Sequence, residues 1–349
     1  MERIYEIAET LTQVPGVSGE EERSFPYLKE TYGDLFDEFG FTPVSSFYGI
    51  RRCGRKDAKT VLMDAHLDTI GFVVTAVCDN GFLKVAPVGG ISEKILSASE
   101  VWIHGKQTIA GVFASKPPHL QERGESEKPM KMSDFCIDTG YSKETLEKIV
   151  RIGTFVSFKS PCAKINGHTA VSPYFDDRIC AASILRAIEL VKGEDLNIDV
   201  AFQFSAREET GIAGARTTAY RLRPDFGFVL DVCHAYTPGA PEDRKCITMG
   251  GGCVLSYAPQ TNRTFCEAVH ALAKRENIPL QLLGESGNTG TNSNAIQTAR
   301  GGIPVCLISI PLKNMHTANE IVDLNDCRAA SDLLAAFLRK LPYLGKEDD

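Results

Sequence analysis

The chain has 349 residues, 43% hydrophobic and 24% charged, with a formal net charge of −7 and an isoelectric point near 5.6. That length supports one large domain or two, each with a core of its own. The acidic balance argues against nucleic-acid and anionic-membrane partners, which call for clustered Lys and Arg, and no apolar run approaches the ~18 residues of a membrane-spanning helix.

In chain order, "MERIYEIAETLTQV" reads as an amphipathic helix without the basic start and apolar block of a secretion signal, so a cytoplasmic protein is expected. "KTVLMDAHLDTIGFVV" opens as an apolar strand. From about residue 70 the texture changes. "GFVVTAVCDNGFLKVAPV" is a hairpin turning at Asp79, Asn80 and Gly81, and "SEVWIHGKQTIAGVFA" is a second strand pair turning near Gly105. The charged stretch "QERGESEKPMKMSD" reads as a loop tip. A short helix, "SKETLEKIVRI", is opened by Ser142 as N-cap, with Glu144 and Glu147 in or near its first turn. This middle part is expected to form a small β-rich domain.

After about residue 164, strands alternate with longer helices. "DDRICAASILRAIELVKG" carries Ile179, Ala182, Ile184 and Ile188 near a 3.6 period, with Gly193 after its end. "DVAFQFSA", "PDFGFVLDV" and "IPVCLISIP" are strands; "TNRTFCEAVHALAKREN" and "NDCRAASDLLAAFLRKL" are helices. The alternation predicts an α/β fold with a mixed, largely parallel central sheet flanked by helices. Residues 1–69 and 164–349 would build that discontinuous domain, and 70–163 the β-rich insertion. The eleven cysteines are odd in number and form no CxxC. Several, such as Cys78 and Cys306, lie in apolar runs, which suits reduced, hydrophobe-like thiols.

Open α/β sheets bind ligands beyond the carboxyl ends of their strands, and polar residues recur there. His66 and Asp68 stand two apart, on one face of a strand. Asp176 and Asp177 stand at a helix start, Glu208 and Glu209 close a strand, Asp231 directly follows another, and His316 lies just past a third. Each has a bland explanation: a rim histidine, helix N-caps, a solvated strand end, a turn residue, a surface histidine. Jointly they would crowd negative charge into one cleft, which is costly unless a cation neutralises it. Histidine nitrogens with carboxylate oxygens and no thiolate suit zinc, cobalt or manganese, and an aspartate can bridge two ions. His104, His168, His234 and His270 lack such neighbours and read as structural or surface groups. No glycine run opens a helix as a phosphate loop must, and no GxSxG elbow is present.

These stretches together resemble the cytosolic dinuclear-metal aminopeptidases of the TET type, a family also labelled glutamyl or deblocking aminopeptidase and, historically, cellulase M. The resemblance runs nearly end to end through "VPGVSGEE", "DAHLDTIGF", "GVFASKPPHL", "CIDTGYSKE", "FDDR", "REETGIAGA", "VLDV" and "GIPVCLISIPLKNMHTANE". It implies that Asp176 bridges two divalent ions, zinc or cobalt. His66 and Asp231 would complete one site, and Glu209 and His316 the other. Glu208 would be the general base toward the attacking water, and Asp68 would orient His66. It also implies peptide substrates cleaved from the N-terminus, a zinc-peptidase-like catalytic domain, and dimerisation through the β-rich insertion, with dimers assembling into a dodecamer. The chain departs from the family pattern at Asn292 in "GTNSNAI", at Pro173 and Tyr174 in "AVSPY", and at Arg207 and Thr210 in "AREETG". Those departures leave the preferred N-terminal side chain open. Two rivals stand beside this reading. A two-carboxylate glycosidase with Glu208 as acid has no use for His66 and His316, and the chain has one tryptophan, Trp102. An inactive binding homologue would not need all the matched ligands intact.

Overall fold

The computed structural model describes residues 1–114, 116, 119, 130–240 and 246–340, so most of the charged stretch at 121–134 lies outside the described residues. Helix α1 (Glu2–Gln13) buries Ile4, Ile7, Ala8 and Leu11 along one stripe. It stops at Val14, whose extended backbone is what a following proline demands. Then come α2 (Phe25–Tyr32), β1 (Glu38–Phe41), β2 (Phe47–Arg51) and β3 (Thr60–His66).

The next strands are β4 (Gly71–Val77), β5 (Phe82–Val88), β6 (Glu100–His104), β7 (Thr108–Ala114), β8 (Cys136–Asp138) and β9 (Phe155–Phe158), with α3 (Lys143–Ile149) between the last two. They close into an antiparallel barrel in the order β4-β5-β8-β7-β6-β9. In β7 every second side chain is buried, as one-sided packing requires. Phe72 centres the barrel core, meeting Phe113 at 4.9 Å and Phe158 at 5.4 Å edge to face. Ser142 caps α3 by accepting the Thr145 N–H.

The remaining elements are β10 (Ala163–Lys164), β11 (Thr169–Ser172), α4 (Phe175–Leu190), β12 (Asp199–Ser205), α5 (Ala213–Leu222), β13 (Phe226–His234), β14 (Cys253–Tyr257), α6 (Arg263–Arg275), β15 (Leu280–Gly284), α7 (Ser293–Ile296), β16 (Val305–Lys313), β17 (Glu320–Asp323) and α8 (Leu324–Lys340). Among the described residues eleven strands form one mixed sheet, ordered β1-β2-β12-β3-β13-β16-β17-β11-β10, with β14 on β16 and β15 on β14. Its centre, β12-β3-β13-β16, is parallel throughout. Those strands are buried almost end to end, hence their continuous apolar sequences. One face packs on α1, α4, α6 and α8, the other on α5 and α7. Because the central strands run parallel, their carboxyl ends emerge along one edge, and the polar residues gather there. No disulfide joins any of the eleven cysteines; Cys306 is buried, while Cys78 is only half-buried.

Candidate metal centre

His66 is the last residue of β3 and is fully buried. Its Nε2 lies 3.0 Å from Asp176 Oδ1. The other oxygen of Asp176 lies 3.2 Å from His316 Nε2, and Glu209 Oε1 approaches the same nitrogen at 3.4 Å. Potential ligand atoms of His66, Asp176 and Asp231 all lie within 4.8 Å of one another, and so do those of Asp176, Glu209 and His316. Asp176 belongs to both groups. All five sequence-derived ligand candidates therefore converge on one place.

Local backbone explains how. Asp176 and Asp177 are not N-caps: both have non-helical torsions inside the first turn of α4, with a cis peptide between them. Asp176 faces two histidines at once from this turn. Asp231 lies within β13, three residues before its end, rather than directly after a strand. Glu208 and Glu209 lie beyond β12, which ends at Ser205, and the chain turns at Arg207 with φ of +60°. The left-handed step thus precedes the glutamates. His316 also has a left-handed φ, +61°, three residues past β16.

Buried carboxylates hold these unusual turns. Asp68 accepts the N–H groups of Glu208 at 2.9 Å and Glu209 at 3.2 Å. His66 Nδ1 meets the Asp68 main-chain oxygen at 2.9 Å, while the nearest carboxylate oxygen is 3.7 Å away. Asp68 thus touches His66 through its backbone and the two glutamates through its side chain. Glu21 Oε1 accepts the N–H groups of Gly19 and Arg207, and Ser18 bonds Thr210 at 2.8 Å. These contacts account for the "VPGVSGEE" segment. Glu320 accepts from Asp176 N at 2.9 Å and His316 N at 2.8 Å, so one carboxylate fixes two ligand-bearing turns. Asp177 accepts the His66 N–H. Nothing in the sequence marks Glu21 or Glu320, although Glu320 lies only four residues beyond His316, and Asp177 reads there as a helix cap.

The departures from the family pattern act behind the site. Tyr174 donates to Phe158 O, Asn292 donates to Ser205 Oγ, and Arg207 and Thr210 shape the glutamate turn. None of them, nor Pro173, lines the cavity at the site. That cavity measures about 580 Å³. The barrel reaches it through Gly89 and Gly90: a Cβ at Gly89, where φ is +79°, would stand 3.3 Å from Glu209 Oε2, and one at Gly90 3.1 Å from His316 Nδ1.

The cluster's electrostatics show what it lacks. Burial pushes Glu208 up to about 8, with the Asp68 and Glu209 charges adding to it. Burial also holds Asp231 well above the carboxylate range, and Asp177 adds to this. Burial opposes charge on His316, yet the Asp176 and Glu209 carboxylates beside it raise it to about 11. Glu209 Oε1 is buried and has no hydrogen-bond partner among the described residues. Two nitrogen-and-oxygen donor sets sharing one carboxylate fit a pair of divalent ions.

Residues 48–333 match the model of the M42 glutamyl aminopeptidases. The chain belongs to that family. A lysyl aminopeptidase of Pyrococcus furiosus is 29% identical over 97% of both chains. The TET aminopeptidase of Thaumarchaeota archaeon SCGC AB-539-E09 superimposes with a TM-score of 0.91 at 31% identity, covering 98% of this chain and 97% of that one. The TET1 peptidase of Pyrococcus horikoshii, which assembles into a tetrahedron or a large octahedral shell, superimposes at 0.85 with 26% identity, over 97% and 99% of the two chains. As an M42 member the chain is of the aminopeptidase class, and M42 peptidases are metallopeptidases. Among the described residues no helix is long and apolar enough to cross a membrane.

Proposed function

We propose that this chain is a dinuclear metal-dependent aminopeptidase. The observation that carries the reading is Asp176, shared between two triads of possible ligands, one buried and one partly buried. His66, Asp176 and Asp231 would hold one ion, and Asp176, Glu209 and His316 the other, with zinc or cobalt suiting the donors. When bound, the ions polarise the scissile carbonyl and make an attacking water more acidic. Glu208 takes the proton from that water and returns it to the leaving amine. Asp68 aims Glu208 by gripping its N–H and that of Glu209. A free, neutral α-amino nitrogen is a further donor that such ions would accept, which favours an N-terminal residue over an internal peptide bond. The two histidines in the cluster give it a use that a glycosidase carboxylate pair does not have.

The test uses chelated protein reloaded with zinc or cobalt and assayed on aminoacyl p-nitroanilides beside a cellulosic substrate. Metal-dependent anilide cleavage is expected; none from protein shown to hold metal would sink the reading. A cytoplasmic site of action goes with it, supported by the eleven free thiols.

Self-association would use the barrel insertion, residues 70–163. Trp102 and Val112 are 37% and 40% exposed on its outward β6–β7 face, and the P. horikoshii relative forms shells. Sedimentation of Trp102→Lys with Val112→Lys is expected to show a smaller species than wild type, because this face would carry the dimer contact. An unchanged size would remove this face from the interface.

A further inference from the structure

We propose that the cavity selects a cationic N-terminal side chain, with Glu285 as the residue that recognises it. The inference rests on the aminopeptidase reading and extends it to substrate class. The argument starts from the sheet. Beyond β13 the neighbours run β16, β14 and β15 in order. Register sets Asp231 beside Ser309, Leu307 beside Ser256, and Ser256 beside Leu283. All of these line the cavity, and so does Glu285 at its far end. The cavity floor is therefore one continuous sheet face leading from the ligand cluster to a carboxylate.

The span fits a long side chain. Three strand-to-strand steps of about 4.8 Å separate β13 from β15, roughly 14 Å between backbones. A lysine carries its ammonium about 6 Å from its Cα, given bonds near 1.5 Å. The Glu285 side chain reaches back from one end, and the anchored α-carbon stands forward of Asp231 at the other. Ile212 and Leu283 on the cavity wall suit the methylene stem. A small residue would leave this end unfilled.

Charge points the same way. The described lining residues include five carboxylates, of Asp176, Glu208, Glu209, Asp231 and Glu285, and no lysine or arginine. Two divalent ions would account for the four at the cluster and leave Glu285 over. Its carboxylate makes no ion pair among the described residues. It is also well placed: Glu285 N donates to Tyr257 O at 3.0 Å, which extends the β14–β15 ladder and roots the residue in the sheet. An acidic N-terminal residue would meet Glu285 as a like charge.

The test compares lysyl, norleucyl and glutamyl p-nitroanilides on zinc-loaded wild type, Glu285→Gln, Glu285→Asp and Glu285→Lys. Wild type is expected to favour lysyl over norleucyl in kcat/KM. Glu285→Gln should lower that ratio about tenfold or more, the usual scale for a hydrogen bond to a charged group. Glu285→Asp should recover part of the ratio, and Glu285→Lys should raise the glutamyl-to-lysyl ratio. A calorimetric arm measures binding of free lysine and norleucine to wild type and Glu285→Gln, independently of turnover. Lysine binding tighter only when Glu285 is present supports the proposal even if no anilide is cleaved, in which case the aminopeptidase reading alone falls. A lysyl-to-norleucyl ratio untouched by Glu285→Gln, or a wild-type preference for glutamyl substrate, overturns it.

Discussion

Glu208 and Glu209 are neighbours whose side chains cannot aim at one centre from an extended strand, and the left-handed step at Arg207 is what lets them do so. Their roles separate in the ligand geometry: Glu209 belongs to a triad, whereas Glu208 does not. Glu208→Gln is therefore expected to cut turnover by about 10²–10⁴-fold, the range of general-base catalysis, while both ions are retained. Glu209→Gln or His316→Ala should bind one ion fewer. Metal analysis beside single-turnover kinetics checks both, and an active Glu208→Gln enzyme would end the assignment. Asp68→Asn probes the support. An asparagine offers one acceptor oxygen and turns an N–H₂ toward the second N–H, so one of the Glu208 and Glu209 amides loses its partner. The expected result is a drop in kcat larger than the rise in KM, because the base is misplaced more than the substrate. A change in KM alone would mean that Asp68 acts on binding.

At the scale of elements, the barrel carries a pH dependence of its own. His104 ends β6, bonds Ser157 at 2.7 Å, and is held down to about 4 by burial and then by the Arg23 charge. Its folded value lies below the ordinary 6.5, so between those values the unfolded chain binds the proton and the folded chain does not. Stability is thus present above pH 6.5 and is lost as pH falls, levelling off near pH 4. The gap corresponds to roughly 3 kcal/mol. His104→Gln can keep a hydrogen bond to Ser157 without titrating, so its urea midpoint should fall less than that of wild type between pH 7.5 and 4.5. Parallel curves would refute this. The elements themselves were legible in sequence because each rests on local physics: the apolar period of α4, the Asn-Gly hairpin turn, and the Ser142 cap. The convergence of the candidate ligands was legible because strand ends can be read from apolar runs. Asp177, Glu21 and Glu320 were harder, since each holds main-chain N–H groups far away in sequence, and no spacing rule signals such contacts. Glu320 accepts from Asp176, 144 positions earlier.

Across the whole molecule, the candidate ligands come from five separate segments: β3, the start of α4, the turn after β12, β13 and the loop after β16. Ions bound there would tie the sheet centre together and, by binding the native state alone, would stabilise it by mass action. At a hundredfold excess over Kd the gain is about 2.7 kcal/mol per site, enough for a rise of several degrees in melting temperature in a chain of this size. The sign of the pH effect follows from what the ions displace. The metal-free cluster holds protons: His316 is raised to about 11 and Glu208 to about 8. Binding must release protons from the ligands, so affinity rises with pH. The zinc-induced increase in melting temperature is therefore expected to be larger at pH 8 than at pH 6, and His316→Ala should keep only part of it. Scanning calorimetry of chelated and reloaded protein at the two pH values decides the matter. An increase independent of pH would count against binding at the His66–Asp176–His316 cluster, where each ion would displace a histidine proton.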